Sequence, residues 1–169
     1  WVWCVIQNFG GTVSLHGALP RMAEDLEKAM TSPQRGRLSG LGLIFEGLDY
    51  NPIVQDFVTD MTWRSAVPKL DEWARGFVQR RYGRRLPETE AAWDILLRTA
   101  YTQVGRSDPV LTARPSLAAG GGGTPYDPAL LVDAAERLLV NAGALGKLDT
   151  YRFDLVQVTR QALGTLGQH

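Results

Sequence analysis

The chain has 169 residues, with 18 Lys+Arg balanced by 18 Asp+Glu and a single Cys. At about 100–200 residues per domain this is one compact domain or parts of two. With 44% hydrophobic and 21% charged residues it is an ordinary folding composition rather than a disordered one. Zero net charge without a basic tract argues against nucleic acid as a partner. One Cys excludes a disulfide framework or a multi-Cys zinc site, and no apolar run approaches the 18 residues of a membrane-spanning helix.

Trp1-Val2-Trp3-Cys4-Val5-Ile6 is apolar, aromatic and β-branched, which predicts a buried strand over 1–7. The chain thus starts inside an apolar run and stops within a helical pattern, so an internal piece of a longer protein is expected. Phe9-Gly10-Gly11 breaks the strand into a loop. Leu19 to Met30 reads as a helix with Pro20 in its first turn and Glu24, Asp25 and Glu27 on its wet side. Leu38 to Phe45 is a second buried strand, and Asn51-Pro52 opens a helix carrying Ile53, Val54, Phe57, Val58 and Met61, with Asn51 as its cap. Strand, helix, strand, helix implies a parallel sheet.

After Pro68 every periodic segment is helical. Leu70, Trp73, Phe77 and Val78 mark one helix, ended by Tyr82-Gly83. Pro87 starts a second, with Ala92, Trp93, Leu96, Leu97, Ala100 and Tyr101 on its apolar side. A long loop, Val104 to Tyr126, holds the four glycines Gly120 to Gly123 and is expected to be mobile. Asp127-Pro128 caps a third helix through Asn141. Thr150 opens a fourth, with Tyr151, Leu155, Val158, Ala162 and Leu166 as its apolar stripe. The change of texture divides the chain at 1–66 and 67–169.

Glu46 directly follows the apolar strand Leu43-Ile44-Phe45. The carboxyl end of a parallel strand is where α/β folds place ligands and reacting groups, yet it is also where a strand meets water. Both readings stand on pattern alone. Asp49 fits a local turn role. Gly40-Leu41-Gly42 fails as a dinucleotide loop, because its third glycine would fall at Phe45. His16 and His169 are too few for a metal cluster. Cys4, in an apolar strand, reads as a small buried hydrophobe. Arg80-Arg81 and Arg84-Arg85 read as a solvated helix end near the negative end of the helix dipole.

Several segments resemble one family in order along the chain. Trp3-Cys4-Val5-Ile6-Gln7-Asn8-Phe9-Gly10-Gly11, then Gly17-Ala18-Leu19, is similar to a segment of the α-N-acetylglucosaminidases, glycoside hydrolase family 89. So are Gly40 to Glu46 with Gly47 and Asn51-Pro52, Arg80-Arg81-Tyr82-Gly83, Ala91-Ala92-Trp93, Arg114-Pro115-Ser116-Leu117 and Thr150 to Val156 with Thr159-Arg160-Gln161. Gln7 departs from the His that the family often carries there, and Ile44-Phe45 from a smaller pair. The resemblance implies the last part of a (β/α)8 barrel over 1–66, followed by the first helices of an α-helical domain over 67–169.

The resemblance further implies a retaining hydrolase that removes terminal α-linked N-acetylglucosamine from glycans. Glu46 would be the nucleophile, and Trp3, Cys4, Ile6 and Asn8 would lie at the sugar. Asn8 equally suits a loop-ordering role. The acid/base Glu lies on an earlier strand, outside these residues. No cofactor or metal is implied. The partners are the glycan and the rest of the parent chain, with neither nucleic acid nor membrane. A bacterial member would be secreted or periplasmic, while animal members are lysosomal and act on heparan sulfate. A reading of another class is a non-catalytic helical or carbohydrate-binding module derived from the family.

Overall fold

The computed structural model describes residues 1–8, 14–46, 51–104 and 124–166. The expected loop around Gly120 to Gly123, Asp49 and the Phe9-Gly10-Gly11 turn all lie outside the described residues.

Strand β1 (Val2–Asn8), helix α1 (Leu19–Thr31), strand β2 (Gly40–Phe45) and helix α2 (Pro52–Met61) form the first part of the chain. The two strands pair in parallel, as the strand–helix–strand order requires. Trp3, Leu41 and Leu43 pack against the core, where Val5 is buried. That core is supplied by Leu19, Ala23 and Leu26 of α1 and by Ile53, Val54, Phe57 and Val58 of α2. The alternate residues Val2, Ile6 and Ile44 are 50%, 47% and 47% exposed, and Cys4 is exposed beside them. Cys4 is therefore not the buried hydrophobe its apolar neighbours suggested: period-two alternation turns it to the open sheet face. Gly42 lies opposite it, and a Cβ there would stand 2.8 Å from the Cys4 Sγ.

The second part is helical. Helix α3 (Leu70–Tyr82), helix α4 (Pro87–Arg98) with a 3-10 turn at Ala100–Thr102, helix α5 (Pro128–Val140), the short helix α6 (Ala142–Leu145) and helix α7 (Asp149–Leu166) come next in order. Gly83 ends α3 at φ 71°, a left-handed conformation that glycine adopts without penalty. Asp127 caps α5 by accepting from the Ala129 N–H at 2.9 Å. Helix α5 packs on both α4 and α7.

A run of aromatic contacts joins the two parts. Phe57 of α2 meets Trp73 edge-on at 5.0 Å, Trp73 stacks on Phe77 at 5.9 Å, and Phe77 meets Trp93 at 5.1 Å. Trp93 then stacks on Tyr101 at 6.1 Å. Offset and edge-to-face pairs at these separations add to the burial of the rings themselves. The Trp73 indole also donates to Asp60 at 2.7 Å, so α2 and α3 are joined by a hydrogen bond as well as by rings.

Two expectations need correction. Arg81 is no solvated helix end: its guanidinium donates to both Asp154 carboxylate oxygens at 2.5 and 2.7 Å, and the two side chains are only 14% and 4% exposed. Tyr82 donates to the same carboxylate at 2.8 Å and accepts from the Trp93 indole at 3.0 Å. Burial pushes the Asp154 carboxyl up from its ordinary value, against the pull of Arg81 and Tyr82. The stripe that α7 buries is likewise not purely apolar. It runs Tyr151, Asp154, Val158, Gln161, Ala162 and Thr165, whereas Leu155 is half-buried and Leu166 is 48% exposed. Paired polar groups hold the places that a periodicity of apolar residues would assign to leucines.

These contacts can be tested by two substitutions. Asp154→Ala leaves Arg81 as an unpaired, mostly buried cation and is expected to lower stability by about 3 kcal/mol, read from the urea midpoint; an unchanged midpoint would refute the pairing. Asp60→Ala orphans the Trp73 indole and is expected to cost about 1–2 kcal/mol. Burial raises the Asp60 pKa, but the Trp73 and Arg64 hydrogen bonds outweigh it, so the carboxyl is held below its ordinary value. Its contribution is then present above the unfolded pKa of about 3.9 and is lost as pH falls through the folded value. The difference between wild type and Asp60→Ala should therefore shrink toward strongly acidic pH, and a gap that widens instead would contradict the assignment.

Candidate functional site

Parallel pairing puts the carboxyl ends of both strands on one edge of the sheet. Val2 faces Gly40, Cys4 faces Gly42, and Ile6 faces Ile44. The register then slips by one, so that Asn8 rather than Gln7 faces Phe45. An extra residue of this kind bends a strand and re-aims the residues after it, and such bulges recur beside reactive sites. Glu46 is the first residue past β2, is exposed, and comes two residues after Ile44. Alternation continues the open face of Cys4, Ile6 and Ile44 to Glu46. Of the residues singled out from the sequence, Asn8 and Glu46 thus share one sheet edge. Trp3, Cys4 and Ile6 line a cavity of about 310 Å³ beside β1, together with His16, Gly17 and Ala18 from the segment after the strand.

That segment is held by buried polar groups. His16 is 2% exposed and Asn51 is 2% exposed. The Asn51 side chain accepts from the His16 backbone N–H at 3.3 Å and donates to the Ser14 carbonyl at 3.3 Å. The His16 Nδ1 lies 2.7 Å from the same carbonyl. Asn51 therefore does not cap α2 with its side chain as its position before Pro52 predicts. Its own carbonyl takes the first helical bond, from Val54 at 2.9 Å, and its amide is spent on the other loop. Residues 14–16 and the start of α2 are thereby tied to each other.

The same segment reaches the helical half. Leu15 N–H donates to the Gln161 Oε1 of α7 at 3.2 Å. The Gly17 and Ala18 N–H groups both donate to the Gln103 carbonyl at 2.8 Å, just past the 3-10 turn. Ala18 sits at φ 45° and ψ 40°, a left-handed conformation that costs a non-glycine residue about 1–2 kcal/mol. Gly17, at φ 149°, passes so close to Val54 that a Cβ would fall 2.4 Å from a Val54 methyl. Sequence reasoning missed Asn51 and Gln161 in these roles. The available sign was a polar residue on a stripe that should bury apolar ones. Among the described residues, no group of three or more His, Cys, Asp or Glu is placed to hold a metal ion.

Comparison with known proteins covers both halves. Residues 1–65 match the family model described as the alpha-N-acetylglucosaminidase (NAGLU) TIM-barrel domain, and residues 73–169 match its C-terminal domain. Human alpha-N-acetylglucosaminidase is 34% identical over 172 residues, covering 98% of this chain and 23% of that protein. A Clostridium perfringens enzyme solved with its substrate GlcNAc-α-1,4-galactose superposes with TM-score 0.88 at 25% identity, over 99% of this chain and 20% of that one. The family 89 glycoside hydrolase from the same organism, solved with 2-acetamido-1,2-dideoxynojirmycin, gives TM-score 0.89 at 26% identity with the same coverage. The chain thus spans about a fifth to a quarter of the length of these relatives. It belongs to the alpha-N-acetylglucosaminidase family, glycoside hydrolase family 89, and comprises a portion of the TIM-barrel domain followed by a portion of the C-terminal helical domain.

Proposed function

We propose that the polypeptide carrying this chain is a retaining hydrolase of terminal α-linked N-acetylglucosamine, with Glu46 as its nucleophile. The observation that carries this reading is the position of Glu46: it is an exposed carboxylate at the carboxyl end of a parallel strand, in a chain of this family. Two solved relatives hold a GlcNAc disaccharide or an acetamido iminosugar, which favours the same sugar here. The open face of Cys4, Ile6 and Ile44 would form the apolar floor below it, and Asn8 would meet a hydroxyl or the acetamido group. A secreted or periplasmic setting goes with a bacterial member.

The chemistry needs two carboxyls roughly 5–5.5 Å apart. The Glu46 carboxylate attacks the anomeric carbon from the β face while the bond to the leaving oxygen breaks. A second carboxylic acid, from another part of the parent chain, gives that oxygen its proton. The covalent intermediate is then opened by water, which the second group deprotonates. Two inversions return the α configuration. The match of residues 1–65 to the family's TIM-barrel domain favours this reading over a non-catalytic module.

In the full-length parent, Glu46→Ala should lower kcat on 4-nitrophenyl α-N-acetylglucosaminide by roughly four orders of magnitude, about 5 kcal/mol of barrier. Stability should move by no more than about 0.5 kcal/mol, because an exposed carboxylate packs against little. Azide should restore part of the rate and yield the β-glycosyl azide, and a mechanism-based fluorosugar should label Glu46 in the wild type. A label on another residue, or near-normal turnover by Glu46→Ala, would sink the assignment. The 169-residue chain by itself should release no 4-nitrophenol, since it carries one carboxyl of the pair and an open sheet edge. Turnover by that chain that survives Glu46→Ala would overturn the reading.

A further inference from the structure

We infer that Gln161, in the helical half, is a positioning residue for the glycosidase site at the strand edge; the inference rests on the function proposed above. Gln161 lies on α7 and is 4% exposed. Its Oε1 is the acceptor for the Leu15 N–H, across 146 residues of sequence. Its side chain also hydrogen-bonds the Tyr126 hydroxyl, which Thr165 shares. Losing the Gln161 acceptor would leave the buried Leu15 N–H without its partner, which sets the cost of moving it.

Gln161 holds the short segment, residues 14–18, that leads into α1. Leu15 stands between Ser14 and His16, the two residues bound by Asn51. Asn51 in turn stands directly before α2. One buried knot therefore sets residues 14–16 against the start of α2, beside the cavity that His16, Gly17 and Ala18 share with Trp3, Cys4 and Ile6, and Gln161 is its anchor in the helical half. The segment resists this placement by itself, because Ala18 is held in a left-handed conformation. Strained backbone persists only where its surroundings over-determine it, and here the Gln103 carbonyl and the Gln161 amide do so from the helical side. Removing the acceptor would let the segment relax, and with it the wall that His16, Gly17 and Ala18 give to the cavity beside β1.

The test uses the full-length parent with 4-nitrophenyl α-N-acetylglucosaminide and hydrogen exchange of a peptide spanning residues 14–18. Gln161→Met keeps the length but offers no acceptor. Gln161→Asn keeps the amide but is too short to reach Leu15. Each should raise KM and lower kcat/KM by about tenfold or more and speed exchange at Leu15. Gln161→Glu retains an oxygen for Leu15 and should restore most of both, whereas Tyr126→Phe, which disturbs only the other contact, should leave KM near wild type. Wild-type KM in Gln161→Met or Gln161→Asn would overturn the positioning role alone, as would a Tyr126→Phe variant that copies them. An unaltered parent that fails to hydrolyse the glycoside would instead remove the proposed function, and the positioning role with it.

Discussion

A carboxylate buried among aromatic rings constrains the helical half more than any apolar contact does. Asp154 is 4% exposed and takes three hydrogen bonds, two from Arg81 and one from Tyr82. A buried charge tolerates only the arrangement that pairs it. Arg81 and Tyr82 end α3, Trp93 belongs to α4, and Asp154 to α7, so one satisfied group sets three helices in register. Tyr151 then packs edge-on against Tyr82 at 5.7 Å and donates to the Leu138 carbonyl of α5 at 2.6 Å, which extends the same order to the fourth helix.

The link between the helical half and the strand pair has two layers. The aromatic run from Phe57 to Tyr101 supplies contact area. The hydrogen bonds from Leu15 to Gln161, from Gly17 and Ala18 to Gln103, and from Trp73 to Asp60 supply direction. A two-stranded sheet has little stability of its own, and here its covered face rests on helices that in turn lean on the helical half. The strand pair is thus positioned by residues far from it in sequence.

Much of this architecture was readable in advance because it depends on local periodicity. The strands 2–8 and 40–45 and the helices starting at Leu19, Pro52, Leu70, Pro87 and Pro128 all lie close to where alternation, helical spacing and Pro at a first turn put them. Glu46 was legible for the same reason, as an acid at the end of an apolar strand. The misreadings share one origin. Asn51, Arg81 and the stripe of α7 were each interpreted from their own neighbours, as a cap, a solvated helix end and an apolar seam. Each turned out to serve a partner on another element. Cys4 was misplaced because a strand's apolar residues do not reveal which of its two faces is covered.

The sequence by itself determined the order and type of the elements, the parallel sense of the strand pair and the acid at its edge. These come from side-chain periodicity and backbone preference, which act over a few residues. Only the tertiary structure decided where the buried polar groups find their partners: Asp154 with Arg81 at 73 residues' separation, and Gln161 with Leu15 at 146. The physical reason is that a buried donor or acceptor is favourable only when its complement arrives at hydrogen-bonding distance. Packing brings that complement, and no local pattern encodes it.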